Sequence, residues 1–119
     1  MRTILLAIAL SLAFGTASAT RRTVELVEGA YELGLPRVSF PSSDGGFVRF
    51  QPCDECDPVA LQVTSGTRYV AKGGELTRAD FLLAIDDIRA TDESRAFVLV
   101  LYDLASKRVT RIAVHAVGS

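Results

Sequence analysis

The sequence predicts an α+β domain: a small antiparallel β-sheet, or a partly rolled barrel of five to seven strands, crossed by a single helix near residues 78–89. Three observations carry this. One segment, Arg78 to Arg89, combines a helical apolar period with an N-terminal capping signature. Short β-patterned runs lie before and after it, separated by glycine and proline turns. Residues 20–119, one hundred in all, remain once an N-terminal leader is set aside, which suits one domain with a modest core.

The leader comes first in the chain. Met1-Arg2-Thr3 is a short basic start, and Ile4 to Phe14 is an apolar run broken only by Ser11. Thr16-Ala17-Ser18-Ala19 ends in the small-x-small pattern of a signal-peptidase site. Residues 1–19 therefore read as a cleaved secretory signal peptide, with one exported β-rich domain at 20–119. The apolar run spans eleven residues, short of the ~20 that cross a bilayer as a helix. No membrane anchor is expected after cleavage. Arg21-Arg22 follows the apolar run, so it is not a twin-arginine signal. Export places the mature chain in a periplasm or outside the cell, where thiols oxidise.

Without Arg2 the chain keeps twelve basic and fourteen acidic residues, a net charge of about −2. There is no basic stripe, which argues against nucleic acid as a partner. No block of like charge or basic amphipathic helix points to a membrane surface.

Thr23 to Glu28 alternates weakly and reads as a half-exposed strand, after which Gly29, Gly34 and Pro36 punctuate the chain. A short strand fits Arg37 to Phe40, and Pro41 to Gly46 is a loop. Phe47 to Gln51 reads as a strand with Val48 and Phe50 on one face. Val59 to Thr64 and Thr67 to Lys72 flank Ser65-Gly66, a link suited to a two-residue primed hairpin. In that register Leu61 faces Val70, with Val59 and Val63 on the same apolar side. The polar side pairs Thr64 with Thr67, Gln62 with Tyr69 and Ala60 with Ala71. Gln62, Thr64, Thr67 and Tyr69 then form a possible binding surface, although a solvated sheet face is the simpler reading.

Gly73-Gly74 turns the chain toward the helix. Thr77 is the N-cap, Asp80 stands at N3, and Leu76 with Phe81 forms a hydrophobic staple. Phe81, Ile85 and Ile88 recur at helical spacing, widened by Leu82 and Ala84. Ala96 to Tyr102 is apolar on both faces and reads as a central, covered strand. After a turn at 103–108, Val109 to Val117 alternates, with Ile112, Val114 and Ala116 inward and Arg111 and His115 outward. These two strands are expected to pair as a hairpin. The helix is expected to pack on the face carrying Phe97, Leu99 and Ile112.

The one motif with chemistry is Pro52-Cys53-Asp54-Glu55-Cys56-Asp57-Pro58, a C-x-x-C. Covalent haem attachment needs His after the second Cys, and Asp57 stands there. Thiol-disulfide redox chemistry needs a stabilised thiolate. Here three carboxylates oppose it, and a β-patterned run follows where a helix N-terminus would help. A copper or zinc site could use Cys53 and Cys56 with Asp54, Glu55, Asp57 and His115. An oxidising compartment joins the two thiols before a metal reaches them, so the favoured reading is a Cys53–Cys56 disulfide pinning a loop.

His115 is the sole histidine, and an outward His on a strand is ordinarily a surface residue. No nucleophile motif accompanies it, and G-x-S-x-G, H-E-x-x-H, G-x-G-x-x-G and the P-loop are all absent from the sequence. Asp86-Asp87 and Asp92-Glu93 gather near the helix end, offset by Arg89 and Arg95. The chain therefore reads as a non-enzymatic exported accessory or binding domain without a cofactor. Its partner, expected to be another exported protein, would meet the acidic cysteine loop or an exposed sheet edge. Metal binding by the C-x-x-C loop is the alternative, and a thiol-redox protein the third reading.

Overall fold

A computed structural model describes residues 27–116. The leader expected at 1–19, its expected cleavage site and most of the strand expected over 23–28 lie outside the described residues.

The described chain is α+β, with one α-helix. In order it forms β1 (Glu28–Gly34), a 3-10 turn (Leu35–Arg37), β2 (Val38–Ser39), β3 (Phe47–Phe50), β4 (Val59–Gln62), β5 (Arg68–Ala71) and β6 (Gly74–Leu76). Helix α1 (Arg78–Thr91) follows, then a second 3-10 turn (Glu93–Arg95), β7 (Ala96–Asp103) and β8 (Val109–Ala116). Five strands make one sheet in the order β1-β7-β8-β5-β6, and β2-β3-β4 make a second. A parallel bridge from Gln62 to Arg108 links the two, but they do not close into a barrel.

The helix forms where the local signals put it. Thr77 Oγ1 accepts from the Asp80 amide at 3.1 Å, and Phe81 N–H donates to the Thr77 carbonyl at 2.8 Å. Phe81, Ala84, Ile85 and Ile88 form its buried stripe, and Leu76 packs against the core beside it. It runs to Thr91, two residues beyond the expected end. The central strand is also as expected: β7 lies between β1 and β8, antiparallel to both. In the β7–β8 turn, Asp103 Oδ1 accepts the amides of Ala105 and Ser106, each at 2.9 Å.

Three sequence expectations are corrected. First, β4 and β5 do not form a hairpin. Neither Ser65 nor Gly66 takes positive φ, whereas a type I′ turn needs it at both central residues. β4 pairs with β3, and β5 crosses to the larger sheet, where it runs parallel to β8. That sheet is therefore mixed. The primed turn lies one strand later: Lys72 (φ 52°) and Gly73 (φ 82°) join β5 to β6, with Ala71 opposite Gly74.

Second, β1 passes straight through Gly29, which sits opposite Tyr102. Third, the core face of β7 is Val98 and Val100, not Phe97 and Leu99. Register pairs Val98 with Val114 and Val100 with Ile112, all buried. Phe97 and Leu99 are half-buried on the opposite face, because successive strand residues alternate.

One core results. Val98, Val100, Ile112, Val114, Tyr69 and Ala71 line one face of the large sheet. Over them pack the helix stripe and the small sheet, through Val38, Val48, Phe50 and Leu61. Ring contacts mark the seams: Tyr69 to Phe81 at 5.1 Å, Phe40 to Phe81 at 5.4 Å and Tyr31 to Phe50 at 4.9 Å.

Candidate functional site

The C-x-x-C segment is the tip of the β3–β4 hairpin. Cys53 and Cys56 are joined in a disulfide with Cα atoms 5.0 Å apart, and the Cys56 amide donates to the Cys53 carbonyl at 3.2 Å. The tip is therefore a four-residue turn closed covalently and by a hydrogen bond. Gln51 Nε2 braces it from below, donating to the carbonyls of Asp54 at 3.0 Å and Cys56 at 2.9 Å. Arg37, from the first 3-10 turn, forms an ion pair with Asp54. Glu55 and Asp57 stand exposed beside it. Both thiols are consumed in the bond, and β4 follows the turn where a thiolate would need a helix N-terminus.

His115 belongs to a different place. It projects from β8 beside Phe97, with ring centroids 5.4 Å apart. It lines a cleft of about 560 Å³ between the end of the large sheet and the C-terminal half of α1. Ile88 and Val114 give this cleft an apolar floor, while Lys72, Asp87, Thr91 and Asp92 supply polar rim groups. Lys72 forms an ion pair with Asp87 across it, and the Thr91 hydroxyl donates to the Asp87 carbonyl at 3.0 Å. The volume and apolar floor match those of small-ligand sites. Among the described residues no group of three or more His, Cys, Asp or Glu side chains is close enough to hold a metal ion. His115 thus shares a cleft with Asp87 and Asp92 without forming a ligand group with them, and it lies apart from Cys53, Cys56, Asp54, Glu55 and Asp57.

The four residues of the expected polar surface are separated by the strand crossing. Gln62 ends β4, where its Nε2 donates to the Gly45 carbonyl at 3.2 Å. Thr64 is half-buried, and its hydroxyl accepts the Gly66 amide at 3.1 Å. Thr67 and Tyr69 are buried, at 7% and 4% exposure. Thr67 Oγ1 donates to the Val109 carbonyl at 2.7 Å, and the Tyr69 hydroxyl has no hydrogen-bond partner among the described residues. Burial raises the Tyr69 pKa above 10.0; nearby Arg78 opposes the shift and Asp44 adds to it.

Strand order assigns two surface features that the sequence did not locate. The first is the edge of β1, seven residues long and unpaired on its outer side among the described residues. The second is the face of the large sheet opposite the core, which carries Phe97, Leu99, Leu101 and Arg111. Strand period alone could have flagged the latter, since β7 is apolar at every position from Ala96 to Leu101.

Family models, curated proteins and solved structures yield no match to this chain. No helix among the described residues is long and apolar enough to cross a membrane.

Proposed function

We propose that this chain is an exported, non-enzymatic binding domain that accepts an extended segment of another exported protein along the free edge of β1. The observation that carries this reading is the contrast between sheet edges. β1 offers seven residues, while β6, β2 and β4 offer three, two and four. A long edge strand is a template for strand addition, with main-chain bonds giving affinity and alternate side chains giving specificity. Glu28 and Glu32 fall on one side of β1, and Tyr31 and Leu33 on the other. The matching segment alternates basic and apolar residues. In this reading the Cys53–Cys56 disulfide is a staple in an oxidising compartment and takes no part in chemistry.

The test is hydrogen exchange, read by NMR, on the labelled mature chain with and without the exported protein fraction of its own cell. Protection of alternate amides within 28–34 supports strand addition. Protection confined to the cysteine turn or the His115 cleft, or unchanged exchange throughout, overturns it.

A further inference from the structure

The large sheet has one face too many for the layers laid on it. Helix α1 and the small sheet both cover the face bearing Val98, Val100 and Ile112. On the opposite face, register places Glu32, Leu99, Ala113 and Val70 in one row across β1, β7, β8 and β5. Ala30, Leu101, Arg111 and Arg68 form the next row. No element of the described residues is layered over these rows, and Leu99, Leu101 and Val70 remain half-buried. A strand apolar on both sides normally has both sides covered.

The charges on this face are also incomplete. Arg68 and Arg111 are direct neighbours on adjacent strands, an unfavourable like-charge pairing. Arg68 is countered by Glu75, which accepts from its Nε at 2.9 Å and its Nη2 at 2.8 Å. The side chains of Arg111 and Glu32 have no hydrogen-bond or ion-pair partner among the described residues.

We infer that this face packs against the same face of a second copy of the chain about a two-fold axis. The line from Glu32 to Arg111 crosses β7 between Leu99 and Leu101, so their midpoint is the apolar centre of the face. A two-fold axis there sets Glu32 against Arg111 of the partner subunit, and by symmetry sets Arg111 against Glu32 of the partner subunit. The same axis stacks the leucines of both copies. A partner of one charge sign would satisfy Arg111 or Glu32 but not both; a second copy satisfies both. Strand spacing of about 4.8 Å and a rise of about 3.3 Å per residue give the face roughly 450 Å² in projection, so the contact belongs to the small, reversible class.

The experiment is analytical ultracentrifugation of the mature chain from micromolar to millimolar concentration. Wild type is compared with Glu32→Arg, Arg111→Glu, the double charge swap and Leu99→Lys, each checked for native near-UV circular dichroism. Wild type is expected to dimerise reversibly. Either single charge reversal should raise the dimer Kd roughly ten-fold, and the double swap should bring it back to within roughly three-fold. Leu99→Lys should leave a monomer. A wild-type monomer at every concentration overturns the inference, as does a dimer that either single reversal leaves unchanged or that the double swap does not restore. A monomer in which the Leu99 and Leu101 methyl groups show NOEs to residues 20–26 also overturns it, in favour of that segment covering the face.

Discussion

The Thr67 hydroxyl donates to the carbonyl of Val109 at 2.7 Å while accepting the Thr64 amide at 2.9 Å. This oxygen joins the chain leaving the small sheet to the start of β8 in the large one, and it is buried. Thr67→Val keeps the shape and removes both bonds. The loss should cost about 2–3 kcal/mol, because buried partners are left unsatisfied. Urea unfolding should show a lower midpoint with an unchanged slope. Thr67→Ser, which keeps the oxygen, should lose no more than about 1 kcal/mol. Equal losses in the two variants would mean that the methyl group matters and the hydroxyl does not.

Gly29 lies directly opposite Tyr102, whose ring occupies the space of a side chain at residue 29. A Cβ there would stand 2.6 Å from Tyr102 Cζ. A shift of the ring would disturb its stacking on Tyr31, at 5.6 Å between centroids, and its contact with Lys107 Nζ at 5.8 Å. Gly29→Ala should cost about 1–3 kcal/mol by overpacking. In a Tyr102→Ala background the same change should come within about 0.5 kcal/mol of neutral. A double-mutant cycle from chemical denaturation measures this coupling, and a coupling near zero would contradict the packing account.

The disulfide closes a four-residue turn at an exposed hairpin tip, outside the core. Replacing both cysteines with serine should lower stability by roughly 2 kcal/mol through the greater entropy of the unfolded chain. The near-UV spectrum and helix content should stay native. Collapse to an unfolded chain would show that the tip does more than staple β3 to β4.

Tyr69 contributes to the alkaline limb of stability. Its pKa is raised in the folded chain, chiefly by burial, so the unfolded chain loses the phenolic proton first. The associated stability is fully present below the unfolded value of about 10 and disappears as pH rises through the folded pKa. Tyr69→Phe should therefore flatten the fall in stability above pH ~10. At neutral pH it should cost no more than about 1 kcal/mol, since the hydroxyl has no partner to lose among the described residues. Thermal melts across the alkaline range would show an unchanged slope if the shift were absent.

Local signals were readable where local chemistry decides the outcome. Thr77, Asp80, Leu76 and Phe81 lie within one turn of the helix start, so its position follows from neighbours in sequence. The cysteine turn was readable for the same reason, being bounded by Pro52 and Pro58 with only two residues between the bonded cysteines. The His115 cleft was not, because Lys72, Asp87, Asp92 and His115 come from two elements and two turns that only packing brings together. The polar surface at Gln62, Thr64, Thr67 and Tyr69 failed because it inherited the hairpin expected at Ser65-Gly66.

By itself the sequence determined the α+β class, the capped helix, the central apolar strand and the close pair of cysteines. Each rests on residues within a few positions of one another, where period, capping and turn chemistry act directly. Only the tertiary structure decided that β5 leaves β4 for a parallel place beside β8, that β1 runs under the Tyr102 ring, and that Val98, rather than Leu99, faces the core. Those choices depend on contacts between residues far apart in the chain, such as Thr67 with Val109 and Gly29 with Tyr102. A strand that is apolar on both faces carries no local information about which face the rest of the molecule will cover.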